Sequence, residues 1–218
     1  MQGMIEVGSL TRDLAASVSM AVEDELDWEH LPHVHRTTFR AASLIHADRD
    51  GWAADVELVD GTPMQMQVKV DPDRGGYTNA TFAGGAENGR AVVRFEETGT
   101  ESCRINLRFF IPEGSGFPVE AAGAFYRDLF TRILDEDEPK MIHRAAALKA
   151  GPAGRKARRS AAMADGARVQ VPLLCPHQGL PLNCEPDESG LMTCPWHGYK
   201  FDARTGACVH GKSRGWTD

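Results

Sequence analysis

Two cysteines and two histidines, Cys175, His177, Cys194 and His197, stand in the order C-x-H-x16-C-x-x-H near the end of this 218-residue chain. Nothing else in the sequence limits its fold so tightly. A thiolate and an imidazole two or three residues apart in a short loop form a pair of metal donors, and two such loops close one site. Each loop carries Pro directly after Cys (Pro176, Pro195) and Gly shortly after His (Gly179, Gly198), residues that turn a backbone sharply. Five cysteines, an odd number with four of them after residue 170, suit metal ligation better than a disulfide framework. Cys103, Cys184 and Cys208 fall outside the pattern and read as small buried or half-buried thiols. On the four donors alone, zinc would satisfy the pattern.

The residues before this tail follow a different rule. From residue 9 to about 30, apolar residues recur at helical spacing until Pro32 removes a donor, which predicts a helix. Alternating stretches around WAADVELV, PMQMQVKV, RAVVRFEE and CRINLRFFI then predict antiparallel strands with one buried face. FPVEAAGAFYRDLFTRIL returns to helical spacing, with Phe125, Leu129, Phe130, Ile133 and Leu134 along one face. The simplest α+β packing curls the sheet around this second helix and leaves a cavity for a small apolar ligand. Met64, Met66, Phe82, Phe95, Phe109 and Phe110 are candidates to line it.

The expected organisation is a domain over residues 1–148, a linker over 149–165 and a small β domain over 166–218, too small to stand without a metal staple. The basic cluster Arg155 to Arg159 falls in the Gly/Ala/Pro-rich linker. A formal charge of −7 speaks against nucleic acid as the main partner. No run of about eighteen apolar residues and no basic-then-apolar start are present, so a cytoplasmic, soluble protein is expected.

The flanks of the Cys/His pairs, continuing through Trp196, Tyr199, Phe201 and Asp202 to the turn Arg204-Thr205-Gly206, resemble the cluster-binding loops of Rieske iron-sulfur proteins. The resemblance implies a [2Fe-2S] cluster with Cys175 and Cys194 on one iron and His177 and His197 on the other. The cytochrome bc-complex branch of that family has an extra disulfide between the loops, where this chain has Leu180 and Trp196. It also has Ser and Tyr hydroxyls near the cluster, where this chain has Tyr199 and Phe201. Fewer hydroxyl donors stabilise the reduced cluster less, so the lower-potential type of soluble ferredoxins and oxygenases is expected. Only ADGARVQVPLL separates the linker from Cys175, so the domain reads as trimmed to its cluster-bearing part.

A second donor set stands in VEDELDWEHLPHVHRTTF, where Asp27, His30 and His35 give D-x-x-H-x4-H. Residues i and i+3 share a helical face, and a break at Pro32 would let His35 join His30 on one ion. Three such residues are a weak signal alone. Together with the tail, EDELDWEHLPHVHRTTF resembles the iron-binding helix of Rieske non-haem iron oxygenases, whose catalytic domain is a helix-grip (START-like) fold. The resemblance implies a mononuclear non-haem Fe(II) held by His30, His35 and an aspartate after the second helix. In LDEDEPKMIHRAAAL that aspartate is Asp137, with Asp135 as runner-up, and His33 is a non-ligand neighbour. Asp27 would link an iron-ligating histidine to a cluster histidine of an adjacent subunit, which implies a homo-oligomer such as a trimer. In that family the Rieske domain usually comes first; here it comes last.

The expected function is an oxygenase component. Electrons from an external reductase or ferredoxin would pass through the cluster to the iron, for O2-dependent hydroxylation or oxidative demethylation of a small organic substrate. The rival from another class is a ligand-binding helix-grip module fused to a Rieske electron carrier without a second iron, and a weaker rival is a zinc-stabilised binding protein. Met and Phe alternation leaves the substrate unnamed.

Overall fold

Strand alternation dominates the first half of the chain. A computed structural model describes residues 3–71, 75–213 and 215–216. The chain divides into two compact units, Met1–Pro139 and Lys140–Asp218.

In the first unit, β1 (Met4–Leu14) is followed by α1 (Val18–Glu25), a 3₁₀ turn (Trp28–His30) and α2 (Leu31–Val34). Six strands follow: β2 (Phe39–Asp48), β3 (Gly51–Leu58), β4 (Pro63–Asp71), β5 (Gly76–Ala83), β6 (Ala86–Gly99) and β7 (Ser102–Pro112). The long helix α3 (Val119–Lys156) comes next, its residues 119–139 in this unit and the remainder in the second. The seven strands form one antiparallel sheet in the order β1-β7-β6-β5-β4-β3-β2. Its inner face buries Val68, Val93, Ile105, Leu107 and Phe109. Against these, α3 packs Phe130 and Leu134, and the rings of Phe109 and Phe130 lie 5.1 Å apart. Burial on this scale contributes roughly 1.5–3 kcal/mol for each large side chain, enough to fix which face of each strand is inside. The expected helix-grip, α+β architecture is what the structure shows.

Two expectations change. The predicted helix over residues 9–30 is strand as far as Leu14, because β1 pairs with β7 from Met4↔Pro112 to Leu14↔Cys103. Leu10 and Leu14 satisfy helical and strand spacing alike, and the β7 edge decides between them. Helix α1 then starts at a proper cap, Ser17, whose hydroxyl accepts the Met20 amide at 3.3 Å. Residues 149–165, expected as a linker, carry regular structure. Helix α3 continues through an interruption at Gly151 (φ 57°) to Lys156. Strand β8 (Arg158–Ala162) then pairs with β9 (Arg168–Pro172) as a hairpin. Composition suggested flexibility; alternation in RRSAA and RVQVP, with Ala161 and Val171 buried, overrides it.

The second unit adds β10 (Leu191–Thr193), β11 (Lys200–Asp202) and β12 (Cys208–His210) in a three-stranded antiparallel sheet. Its core joins Val171, Leu182, Met192 and Phe201 to the two cysteines Cys175 and Cys194. No helix among the described residues is long and apolar enough to cross a membrane.

Candidate metal centres and cavity

The helical segment after β1 breaks at Asp27 (φ −91°, ψ 75°), ahead of Pro32. Pro32 sits in the first turn of α2, where a missing amide costs nothing. His30 precedes this single turn and His35 ends it, in a non-helical conformation (φ −94°, ψ 40°). That departure from helix brings both imidazoles to one side. Their Nε2 atoms stand 3.0 Å apart.

Asp137 of α3 completes the group. Its Oδ1 lies 3.0 Å from His35 Nε2 and 3.5 Å from His30 Nε2, and donor atoms of all three residues fall within 4.8 Å of one another. All three residues are buried: His30 is 4% exposed, His35 1% and Asp137 8%. Asp135 points elsewhere, into an ion pair with Arg12 that Glu138 shares at 2.7 Å. His33 is not among the converging donors.

The outer nitrogens explain why both Nε2 atoms face inward. His30 Nδ1 meets the main-chain oxygen of Asp27, and His35 Nδ1 meets Glu136 Oε2 at 2.7 Å. An Nδ1–H donated outward leaves the Nε2 lone pair facing the other donors, the tautomer a metal requires. Two lone pairs and a carboxylate in a dry space repel unless a cation stands between them. His35 expresses the same demand. Burial alone would lower its pKa, but the carboxylates of Asp137 and Glu136 outweigh burial and raise it to about 9. The donor set therefore fits a divalent cation. The Asp27 carboxylate is nearly buried and lies 3.9 Å from His30 Nδ1, so the main chain, not the side chain, makes the closer contact.

Neighbouring groups missed in the sequence sharpen the environment. The Glu25 carboxyl sits inside the unit, where burial pushes it up to about 8 against the opposing hydrogen bond from Tyr77; Asp137 and Asp24 add to the rise. Glu136 was visible only as one acid in a run, and no local signal marked it as the partner of His35.

Beside this centre, a cavity of ≈ 350 Å³ opens between the sheet and α3. Thr37, Thr38 and Phe39 form the wall nearest the histidines, and the Phe39 ring meets His35 edge-on at 6.3 Å. Of the expected lining residues, Met64 and Met66 are present. Phe109 is fully buried behind Tyr126, Phe95 packs on Tyr77, and Phe110 lies under Arg108. Phe125 stands 62% exposed at the mouth, not in the core.

The second unit holds its donors by a repeated backbone turn. Cys175 N donates to Leu180 O at 2.7 Å and Gly179 N donates back to Cys175 O at 2.8 Å. Cys194 N to Tyr199 O (2.8 Å) and Gly198 N to Cys194 O (2.9 Å) reproduce the pattern. Both glycines have positive φ, 77° and 67°, where a Cβ would be strained. The sequence C-P-x-x-G thus encodes one turn twice, with His at the third position in one copy and the fourth in the other.

The two turns face each other. The Cys175 thiol hydrogen-bonds Cys194, and that bond, with His197, draws the Cys194 thiol well below its ordinary range despite burial. Cys175 moves up correspondingly, through the shared bond and burial. The His177 and His197 rings lie 4.6 Å apart, and Tyr199 stacks on His177 at 4.3 Å. Two buried sulfurs and two imidazoles gathered this way suit a cluster with one thiolate-ligated and one imidazole-ligated iron. No disulfide joins the loops. Trp196 ties them instead, its indole N–H donating to Pro181 O at 2.8 Å, while Leu180 is buried.

Comparisons with known proteins divide along the same boundary. A family model for the Rieske [2Fe-2S] domain matches residues 143–215. No curated protein sequence matches the chain significantly. Among solved structures, Ara h 8.0201 aligns with a TM-score of 0.52 at 11% identity, over 64% of this chain and 99% of its own. The Zhui aromatase/cyclase from a Streptomyces species gives 0.52 at 12%, over 67% and 98%. A norcoclaurine synthase point mutant from Thalictrum flavum, in complex with a transition-state analogue, gives 0.50 at 16%, over 66% and 97%. At such identities these likenesses show the fold alone, a helix-grip sheet and helix. The chain therefore carries a Rieske [2Fe-2S] domain at residues 143–215, joined to a helix-grip region that precedes it.

Proposed function

We propose that the chain is the oxygenase component of a Rieske-type non-haem iron system, acting on a small organic substrate in the helix-grip cavity by hydroxylation or oxidative demethylation. The observation that carries this proposal is the convergence of His30, His35 and Asp137 within 4.8 Å, in a unit that also holds a ligand-sized cavity. Two imidazoles and one carboxylate leave adjacent positions open on Fe(II), the arrangement of non-haem iron oxygenases. When bound, the iron supplies oxygen activation and the [2Fe-2S] cluster supplies single electrons.

The chain's own residues do the rest. Glu136 and the Asp27 main chain hold the two imidazoles with Nε2 inward. Phe39, buried and edge-on to His35, is assigned to keep bulk water from the donors on the cavity side. Cys175, Cys194, His177 and His197 are assigned to the cluster, which receives electrons from a reductase or ferredoxin. Asp27 is assigned to couple the two centres, within one chain or between copies in an oligomer.

Iron and acid-labile sulfide analysis tests the assignment. The oxygenase carries about three irons and two sulfides per chain. His35→Ala is expected to retain the cluster colour with about two irons and two sulfides, and to lose O2-dependent turnover. A wild-type chain holding only two irons for two sulfides would make it a ligand-binding module with an attached electron carrier.

A further inference from the structure

The walls of the first unit's cavity satisfy most of their own polar groups. Thr81 Oγ1 bonds Asn88 Oδ1 at 2.8 Å, and Arg90 is held by Glu87 through two bonds of 2.6 and 2.7 Å. Asp60 spends an oxygen on the Thr62 amide at 2.9 Å. Three lining groups differ. The Arg132 guanidinium makes one long contact, 3.4 Å to Thr38 Oγ1, and has no carboxylate within 4.0 Å among the described residues. The Tyr126 hydroxyl and the Asn79 amide bond no other described residue.

Tyr126 is held in place for this. Its ring stacks on Phe109 at 5.2 Å, and a Cβ on Gly89 would come within 2.0 Å of its hydroxyl. A glycine on β6 therefore leaves room for that hydroxyl. Burial raises the Tyr126 pKa, so the group stays a neutral donor.

Position on α3 gives the cavity a direction. Arg132 lies one helical turn before Glu136, the partner of His35, and reaches Thr38 on the wall beside the histidines. Met64, Met66 and Phe130 supply apolar surface elsewhere in the cavity. We propose that this cavity takes a small monocarboxylate with an apolar body, its carboxylate forked by Arg132 at the histidine end and its far end met by Tyr126 and Asn79. A planar guanidinium matches a carboxylate in two parallel bonds, which neither a neutral amide nor an amine can reproduce. The inference rests on taking the cavity as the substrate site of the proposed oxygenase.

The test is calorimetric titration of the full chain with 3-phenylpropanoate, 3-phenylpropanamide and 3-phenylpropylamine. The acid is expected to bind about tenfold tighter than the amide, the difference one charge-assisted bond supplies. Arg132→Gln is expected to bring the acid down to the amide without moving the amide, which also reports that the cavity is still folded. Arg132→Lys is expected to restore part of the preference. Equal binding of acid and amide, preference for the amine through Asp60, no binding of any of the three, or an acid preference that survives Arg132→Gln would each overturn the proposal. The iron count separates this outcome from the oxygenase assignment: two irons with an acid preference sinks the latter, three irons without one sinks the former.

Discussion

In the second unit, four donors come from two copies of one turn, each closed by main-chain hydrogen bonds spanning four or five residues. In the first, three donors come from a broken helical segment and from a helix so distant that 101 residues separate His35 from Glu136. A turn that carries its own donors needs little beyond itself to present them, but its small core needs the metal. Donors assembled from distant elements need a finished fold, and a seven-stranded sheet supplies it without metal. Imidazole joins soft thiolates in the unit whose small core calls for a staple, and a hard carboxylate in the unit whose sheet holds the donors by itself.

Loss of a cluster cysteine should affect the second unit far more than the first. Cys194→Ser should abolish acid-labile sulfide altogether and expose the amides of the second unit's core, around Leu182 and Met192, to rapid hydrogen exchange. The strands β5, β6 and β7 should keep their protection. Full protection of both units in the cluster-free variant would show that the second unit does not depend on its staple.

A smaller effect concerns pH and belongs to the first unit. Glu25 is raised from 4.5 to about 8 in the folded, metal-free chain, the form in which its titration is to be followed. Between those values the unfolded chain has lost the proton and the folded one keeps it. The stabilisation is therefore complete below pH 4.5 and is lost as pH rises to 8, at roughly 1.4 kcal/mol per unit at most. Glutamine cannot ionise, so Glu25→Gln should flatten that slope and stabilise the first unit by about 2–4 kcal/mol at pH 7.5. Hydrogen exchange of β4 and β5 across this pH range measures it. Parallel slopes in wild type and variant would remove Glu25 from the account.

How much of this was legible follows from how locally each feature is encoded. The Cys/His loops were readable because the turn and its donors share five residues, Cys175 to Gly179 and Cys194 to Gly198. The helix-grip order was readable because β3, β4, β6 and β7 alternate over one buried face, while β2 and β5 went unread. Strand β1 was not, since Leu10 and Leu14 fit both periods and only pairing with β7 chooses. Helix α3 offered four candidates for the third donor, and Asp137 was chosen among them by the family resemblance alone: Asp135, Glu136, Asp137 and Glu138 are consecutive, each turned about 100° from the last. Only packing assigns two to Arg12, one to His35 Nδ1 and one to the pair of Nε2 atoms.

Within that run, Asp135, Glu136 and Asp137 each meet different partner atoms. Glu136 touches His35 and, at 3.2 Å, the Thr37 hydroxyl, but is not among the converging donors. It orients one of those donors without joining them. Glu136→Gln should weaken cation binding at the first centre about 10- to 100-fold, the range for a group that orients a metal-bound imidazole, with sulfide content unchanged. Cation affinity is read by equilibrium dialysis of the first centre against a chelator that spares the cluster.

Asp135 should show the smallest effect. Its side chain is 60% exposed, and its partner Arg12 keeps Glu138 at 2.7 Å when Asp135 is removed. An exposed ion pair contributes about 0–1 kcal/mol, and the remaining carboxylate retains part of even that. Asp135→Ala should therefore leave iron content, sulfide content and cation affinity at wild-type values, with a melting shift of at most a few degrees. If instead Asp135→Ala empties the first centre while Asp137→Ala leaves it loaded, helix α3 presents a different carboxylate to the histidines, turned by about 200°. The Arg12 pairing and the convergence on Asp137 would then fail together, because one rotation of the helix undoes both.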